Sequence, residues 1–96
     1  MEASAETFRI RTDDVAWQIV EQEIIILDSR SWRYLGVGGS GKALWPEVVG
    51  GATEDQLAGS LVETFGIDEG RARADVREFV RMLADFDLLE KEPGGV

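Results

Sequence analysis

The chain is 96 residues long with 44% apolar side chains, which sets it at one domain with a single core and argues against intrinsic disorder. It holds no cysteine and no histidine, so disulfides, thiolate metal sites, thiol nucleophiles and the usual proton shuttle are excluded. With 19 acidic against 10 basic side chains the net charge is −9, a field that repels phosphate backbones and anionic lipid, so neither nucleic acid nor a membrane is an expected partner.

No apolar run has the length of a membrane span or of a signal-peptide core, and the expected location is the cytoplasm. Residues 1–6 are small and polar and read as a disordered start. Phe8-Arg9-Ile10-Arg11 alternates apolar and basic, as a short half-buried strand does. Thr12-Asp13-Asp14 is a turn, and Val15 to Val20 is rich in β-formers. Gln22-Glu23 offers a tight reversal into the apolar strand Ile24-Ile25-Ile26-Leu27. Asp28 to Ser31 turns again, and Trp32 to Leu35 returns, stopping at the glycines that begin with Gly36. These last three strands make an antiparallel meander.

Ser40 or Gly41 begins the first helix, with Ala43, Leu44, Val48 and Val49 on its apolar face. Pro46 is tolerable only in a first turn, so this helix is expected to start effectively near Leu44 or to bend there. Thr53-Glu54-Asp55-Gln56 is a capping box for a second helix carrying Leu57, Leu61, Val62 and Phe65, which Gly66 ends. Asp68 caps a third helix from about Glu69 to Asp87. Its apolar arc holds Ala72, Val76, Phe79, Val80, Leu83 and Phe86. Leu88-Leu89 packs its exit, and residues 91–96 read as a disordered tail. The fold class is α+β and winged-helix-like: an N-terminal three-stranded antiparallel sheet followed by three helices, in a single domain over residues 7–90.

The order and spacing of these segments resemble one family. An apolar strand ends in Leu27-Asp28, and Arg33-Tyr34-Leu35 and a glycine-containing step lead to Ala43-Leu44-Trp45. Thr53-x-x-Gln56-Leu57, Asp75-Val76-x-x-Phe79-Val80-x-x-Leu83 and Leu88-Leu89 follow. The succession is similar to that of the PqqD-like family, the RiPP recognition elements, over roughly Val15 to Glu90. One departure is Gly36, where the family often has Asn after the Leu that ends the third strand. The resemblance implies a non-enzymatic domain without cofactor. Such a domain holds the leader region of a ribosomally made precursor peptide as an added strand on the meander's third strand, in a groove closed by the third helix. It implies partners too, a leader peptidase and a cyclase of a lasso-peptide pathway, or else the role of PqqD itself.

On this reading the peptide-binding residues are Trp32, Arg33, Tyr34 and Leu35 on the strand and Asp75, Val76, Phe79 and Met82 on the helix. The plain alternative makes the strand an ordinary member of the meander, with Trp32 and Tyr34 closing the core. Arg73, Arg77 and Arg81 form a stripe at i, i+4, i+8. It is read as a solvated edge paired with acids such as Glu69, as a contact for acidic leader residues, or as the recognition helix of a small winged-helix DNA-binding regulator. Gly36 to Lys42 lacks the order of a phosphate-binding loop, since Ala43 stands where Ser or Thr is needed.

Overall fold

In a computed structural model that describes residues 6–90, the elements are β1 (Thr7–Phe8), β2 (Val15–Val20), β3 (Glu23–Asp28), β4 (Arg33–Val37), α1 (Ser40–Gly50), β5 (Ala52–Thr53), α2 (Glu54–Phe65) and α3 (Glu69–Asp85). The expectations for residues 1–5 and 91–96 lie outside the described residues. An α+β domain with the expected meander and three helices results: β2, β3 and β4 pair antiparallel in that order.

The N-terminal segment departs from expectation. Instead of one strand over Phe8 to Arg11, Thr7 and Phe8 pair with Thr53 and Ala52 of β5, and Ile10 makes a single bridge to Leu89. Its backbone is thereby spent on three different elements, since Ile10 N–H donates to Val48 O at 3.1 Å and Arg11 N–H to Leu88 O at 2.8 Å.

All three helices lie on one face of the meander. Ile24, Ile26 and Val37 meet Leu44, Trp45 and Val48 of α1, Leu57, Ala58 and Leu61 of α2, and Ala72, Val76, Phe79 and Leu83 of α3 in one core. Trp45 is wholly buried and meets Trp17 edge to face, with ring centroids 5.8 Å apart. The opposite sheet face has no helix over it, and the apolar Ile25 and Leu27 stay half-buried there beside exposed Val20 and Tyr34.

The helix boundaries follow local chemistry. Thr53 Oγ1 accepts from Gln56 N–H at 3.2 Å, and Gln56 Oε1 accepts from Thr53 N–H at 2.9 Å, so both halves of the capping box form. Gly66, at φ 67°, takes the left-handed conformation that ends α2. Two expectations are corrected here. Pro46 neither delays α1 nor stands in its first turn: the helix runs through it from Ser40. Asp68 occupies the N-cap of α3, but its side chain makes no capping hydrogen bond, and only its carbonyl accepts, from Ala72 N–H at 3.0 Å.

Asp28, at the end of β3, is the one buried charged residue among the described residues. Its carboxylate accepts from Arg11 Nη2 at 3.0 Å, from Arg30 N–H at 3.0 Å and from Ser31 Oγ at 3.2 Å, which fixes the β3–β4 turn. Arg11 also donates from Nε to Asp87 O at 2.7 Å and from Nη1 to Asp13 O at 2.7 Å. Burial alone would raise the Asp28 carboxyl. The Arg30 N–H, the Arg11 guanidinium and the Ser31 hydroxyl outweigh it and hold the group below its ordinary value of 3.8.

A carboxyl depressed by folding stabilises the native state above its unfolded value and loses that contribution as pH falls through the folded value. The fold is therefore expected to keep the Asp28 contribution at neutral pH and to lose it progressively below about pH 4. Asp28→Ala should cost about 2 kcal/mol at pH 7 by removing a hydrogen-bonded charge and leaving Arg11 unpaired. It should also flatten the acid limb of the stability curve, as denaturant melts at several pH values would report.

Candidate functional site

Which backbone groups stay free is decided by the β2–β3 hairpin. Its turn is two residues long, joining Val20 to Glu23, and Ser29 N–H donates to Asp14 O at 2.8 Å one register step beyond the Val15–Asp28 pair. Hydrogen-bonded pairs alternate along an antiparallel ladder, so Leu27, Ile25 and Glu23 spend their groups on β2, and Asp28, Ile26 and Ile24 turn theirs toward β4. Their β4 partners are Arg33, Leu35 and Val37. The N–H and C=O of Tyr34 and Gly36 therefore point outward, at a sheet border that pairs with nothing among the described residues.

Side chains alternate with the same parity. Leu35 and Val37 share the helix-covered face with Ile26 and Ile24, as does Arg33 with Asp28. Tyr34 and Gly36 share the outer face with Leu27 and Ile25.

Beyond the free border stands α3, across a groove of about 390 Å³. Gly36, Val37, Gly38 and the start of α1 at Ser40 and Gly41 line one side, and Asp75, Glu78, Phe79 and Met82 line the other. At the start of β4, outside the groove's lining, Arg33 lies over the ring of Phe86, 4.7 Å from its centroid. Gly41 lets α1 start this close to the sheet. A Cβ there would stand 2.5 Å from Val37 Cγ1 and 3.3 Å from the Phe79 ring. A larger hollow, about 600 Å³, opens between α1 and α2 along Gly50, Gly51, Asp55 and Gly59, but no residue of the β2–β3–β4 meander lines it.

Of the residues expected from sequence, Asp75, Phe79 and Met82 line this groove from α3. Arg33 and Leu35 lie on the helix-covered face of β4 outside its lining, Arg33 over Phe86. Tyr34 is 70% exposed and contributes its backbone to the border and its ring to the outer sheet face. Trp32 is not in the strand. It sits in the turn at φ 57° and is 74% exposed, so neither aromatic closes the core. Val76 is wholly buried and offers the groove no surface, which corrects its placement among contact residues.

The strand also runs on through Gly36 to Val37 instead of stopping at the glycine. Glu78 and Gly41 were missed as wall residues, as was the contact of Phe86 with Arg33. Helical spacing carried the signal for two of them, since Glu78 is three residues from Asp75 and Phe86 four from Met82.

The arginine stripe is largely committed. Arg73 reaches Glu54 at 3.1 Å, Asp55 at 2.8 Å and Glu69 at 2.9 Å, and Arg77 reaches Glu54 at 3.2 Å. Arg77 and Arg73 hold the Glu54 carboxyl below its ordinary range, while Glu69, Asp55 and Glu54 raise Arg73.

This arrangement, a three-stranded meander with one bare border facing the last helix, is that of a PqqD-like domain. The family model described as coenzyme PQQ synthesis protein D (PqqD) matches residues 23–89, most of the chain, and the chain belongs to that family. Two solved structures share the fold. TbiB1 in complex with the TbiA(β) leader peptide is 24% identical with a TM-score of 0.78, covering 88% of this chain and 96% of its own. Lasso peptide synthetase B1 complexed with the leader peptide is 18% identical with a TM-score of 0.77, covering 88% and 98%. No curated protein sequence matches. Among the described residues no helix is long and apolar enough to cross a membrane.

The two glycines at the border should respond differently to a methyl group. Gly41→Ala is expected to destabilise the fold by about 1–3 kcal/mol through overpacking against Val37 and Phe79. Gly36→Ala meets only ordinary contacts at 3.6 Å or more and should stay within about 0.5 kcal/mol of the parent. Thermal melts of the two variants check both.

Proposed function

We propose that this domain binds the leader segment of a ribosomally made precursor peptide as an added strand on β4, in the groove against α3. It presents the remainder of the peptide to modifying enzymes, a leader peptidase and a cyclase. The observation that carries this reading is the bare β4 border, where Tyr34 and Gly36 hold unspent donors and acceptors opposite an apolar helix face. Both structural relatives are, by description, complexes with leader peptides, and they favour a lasso-peptide context.

The role is non-catalytic. Main-chain pairing supplies affinity that depends little on guest sequence, and anchors over Leu35, Phe79 and Met82 supply selectivity at about 1.5–3 kcal/mol for each fully buried side chain. Part of that gain is spent on ordering a flexible guest, so modest affinity is expected. Tethering the substrate raises its concentration beside the enzymes, which is the benefit such a domain confers.

Proline scanning of β4 tests the pairing. Tyr34→Pro removes an outward N–H without touching the β3 ladder and should weaken a fluorescent leader peptide roughly three- to tenfold while the melting temperature holds. Arg33→Pro removes an inward N–H and should instead lower stability. Candidate peptides are the leaders of short precursors encoded near this chain. Full affinity in Tyr34→Pro would refute strand addition.

A further inference from the structure

The carboxylates Asp75 and Glu78 line the groove, and a charge of opposite sign, Arg33, stands at the start of the same strand border over Phe86. Among the described residues Arg33 has no carboxylate within 4 Å, although every other arginine on the sheet side, Arg9, Arg11 and Arg30, has one. In the groove wall, among the described residues, Glu78 has no cation within that distance and Asp75 has only the exposed Arg71 at 3.8 Å. Arg73 and Arg77 on the other margin of α3 are committed to Glu54, Asp55 and Glu69, whereas Arg33 and Glu78, on the two elements that bound the groove, are left with opposite unpaired charges among the described residues.

We infer that the groove selects its guest by charge order: an extended segment with a basic residue at one end, an apolar residue two positions on and an acidic residue two further on. The inference rests on the strand-addition reading above. Arg33, Leu35 and Val37 share the helix-covered face at every second position of β4, so a guest strand beside them presents inward side chains at i, i+2 and i+4 across about 13 Å. The residue level with Arg33 meets its guanidinium, the middle one meets Leu35 and Met82, and the one level with Val37 meets Asp75 and Glu78.

Antiparallel ladders are slightly more stable per residue than parallel ones, so the guest enters from the Val37 end. Read from its N-terminus it is Lys/Arg-x-apolar-x-Asp/Glu.

Three synthetic peptides of one length and one apolar centre test this against the full domain by fluorescence anisotropy. They carry Lys then Glu, Glu then Lys, or Gln at both positions. At low salt the Lys-then-Glu peptide should bind about five- to tenfold more tightly than the Gln peptide, and the reversed one more weakly than either. The advantage should shrink at high salt. The double variant Arg33→Glu with Glu78→Arg, checked for folding by circular dichroism, should invert the preference between the two charged peptides. Equal binding of all three, or tighter binding of the reversed peptide, overturns the charge order and leaves strand addition standing. Failure of all three to bind overturns both.

Discussion

The position of β4 depends on one buried ion pair. Arg11 and Asp28, 3.0 Å apart and nearly out of solvent, join three parts of the chain that have no local reason to meet. These are the N-terminal segment, the β3–β4 turn, and the exit of α3, where Arg11 holds the carbonyl of Asp87. Burying two charges is costly, and the pair persists because nearly every remaining valence is used. Asp28 takes two further donors from the turn, and Arg11 reaches two backbone carbonyls. The turn that launches β4 is thereby fixed to the helix exit, and Arg33 comes to rest over Phe86. From that anchored end β4 and α3 bound a gap.

A bare strand border is ordinarily a liability, and this sheet has two. They differ in what stands beside them. The β2 strand carries Trp17, Ile19 and Val20, all well exposed, and Trp17 packs edge to face on Trp45. The β4 border faces a helix that supplies an apolar floor of Phe79 and Met82 with carboxylates at its rim. Backbone pairing alone would welcome any extended chain. A floor and a charged rim restrict the choice, and only β4 has them.

What the sequence disclosed divides along physical lines. Features made by residues close in the chain were legible: the Thr53–Gln56 capping box, the glycine stop at Gly66, the meander and the apolar stripe of α3 all stand as expected. Features made by distant partners were not. The two-residue pairing of β1 with β5 and the Ile10–Leu89 bridge have no local pattern to reveal them. Asp28 read as a turn residue because nothing nearby announces Arg11, and Val76 read as a groove residue because periodicity gives a face without its depth. Trp32 read as strand because indoles favour strands, whereas a left-handed backbone at a large side chain is a tertiary outcome. The parity of the free border lies between these cases. The two-residue hairpin turn sets it, yet only the observed register shows which of Arg33 and Tyr34 faces out.

Electrostatics then separates the two readings that a helix beside a small sheet allows. A winged helix that reads DNA needs its arginines free to meet phosphates, and it gains affinity by releasing counterions from them. Here Arg73 and Arg77 are already neutralised by Glu54, Asp55 and Glu69, carboxylates that tie α3 to the start of α2. Freeing them for phosphate would break a network that helps hold the helix pair together, inside a domain whose net charge of −9 repels the duplex. The same helix thus uses Arg73 and Arg77 for structure and turns its other margin, Asp75, Glu78, Phe79 and Met82, toward the free strand. A chain of modest charge meets little long-range penalty in approaching that margin, and its backbone can satisfy the groups that Tyr34 and Gly36 leave open.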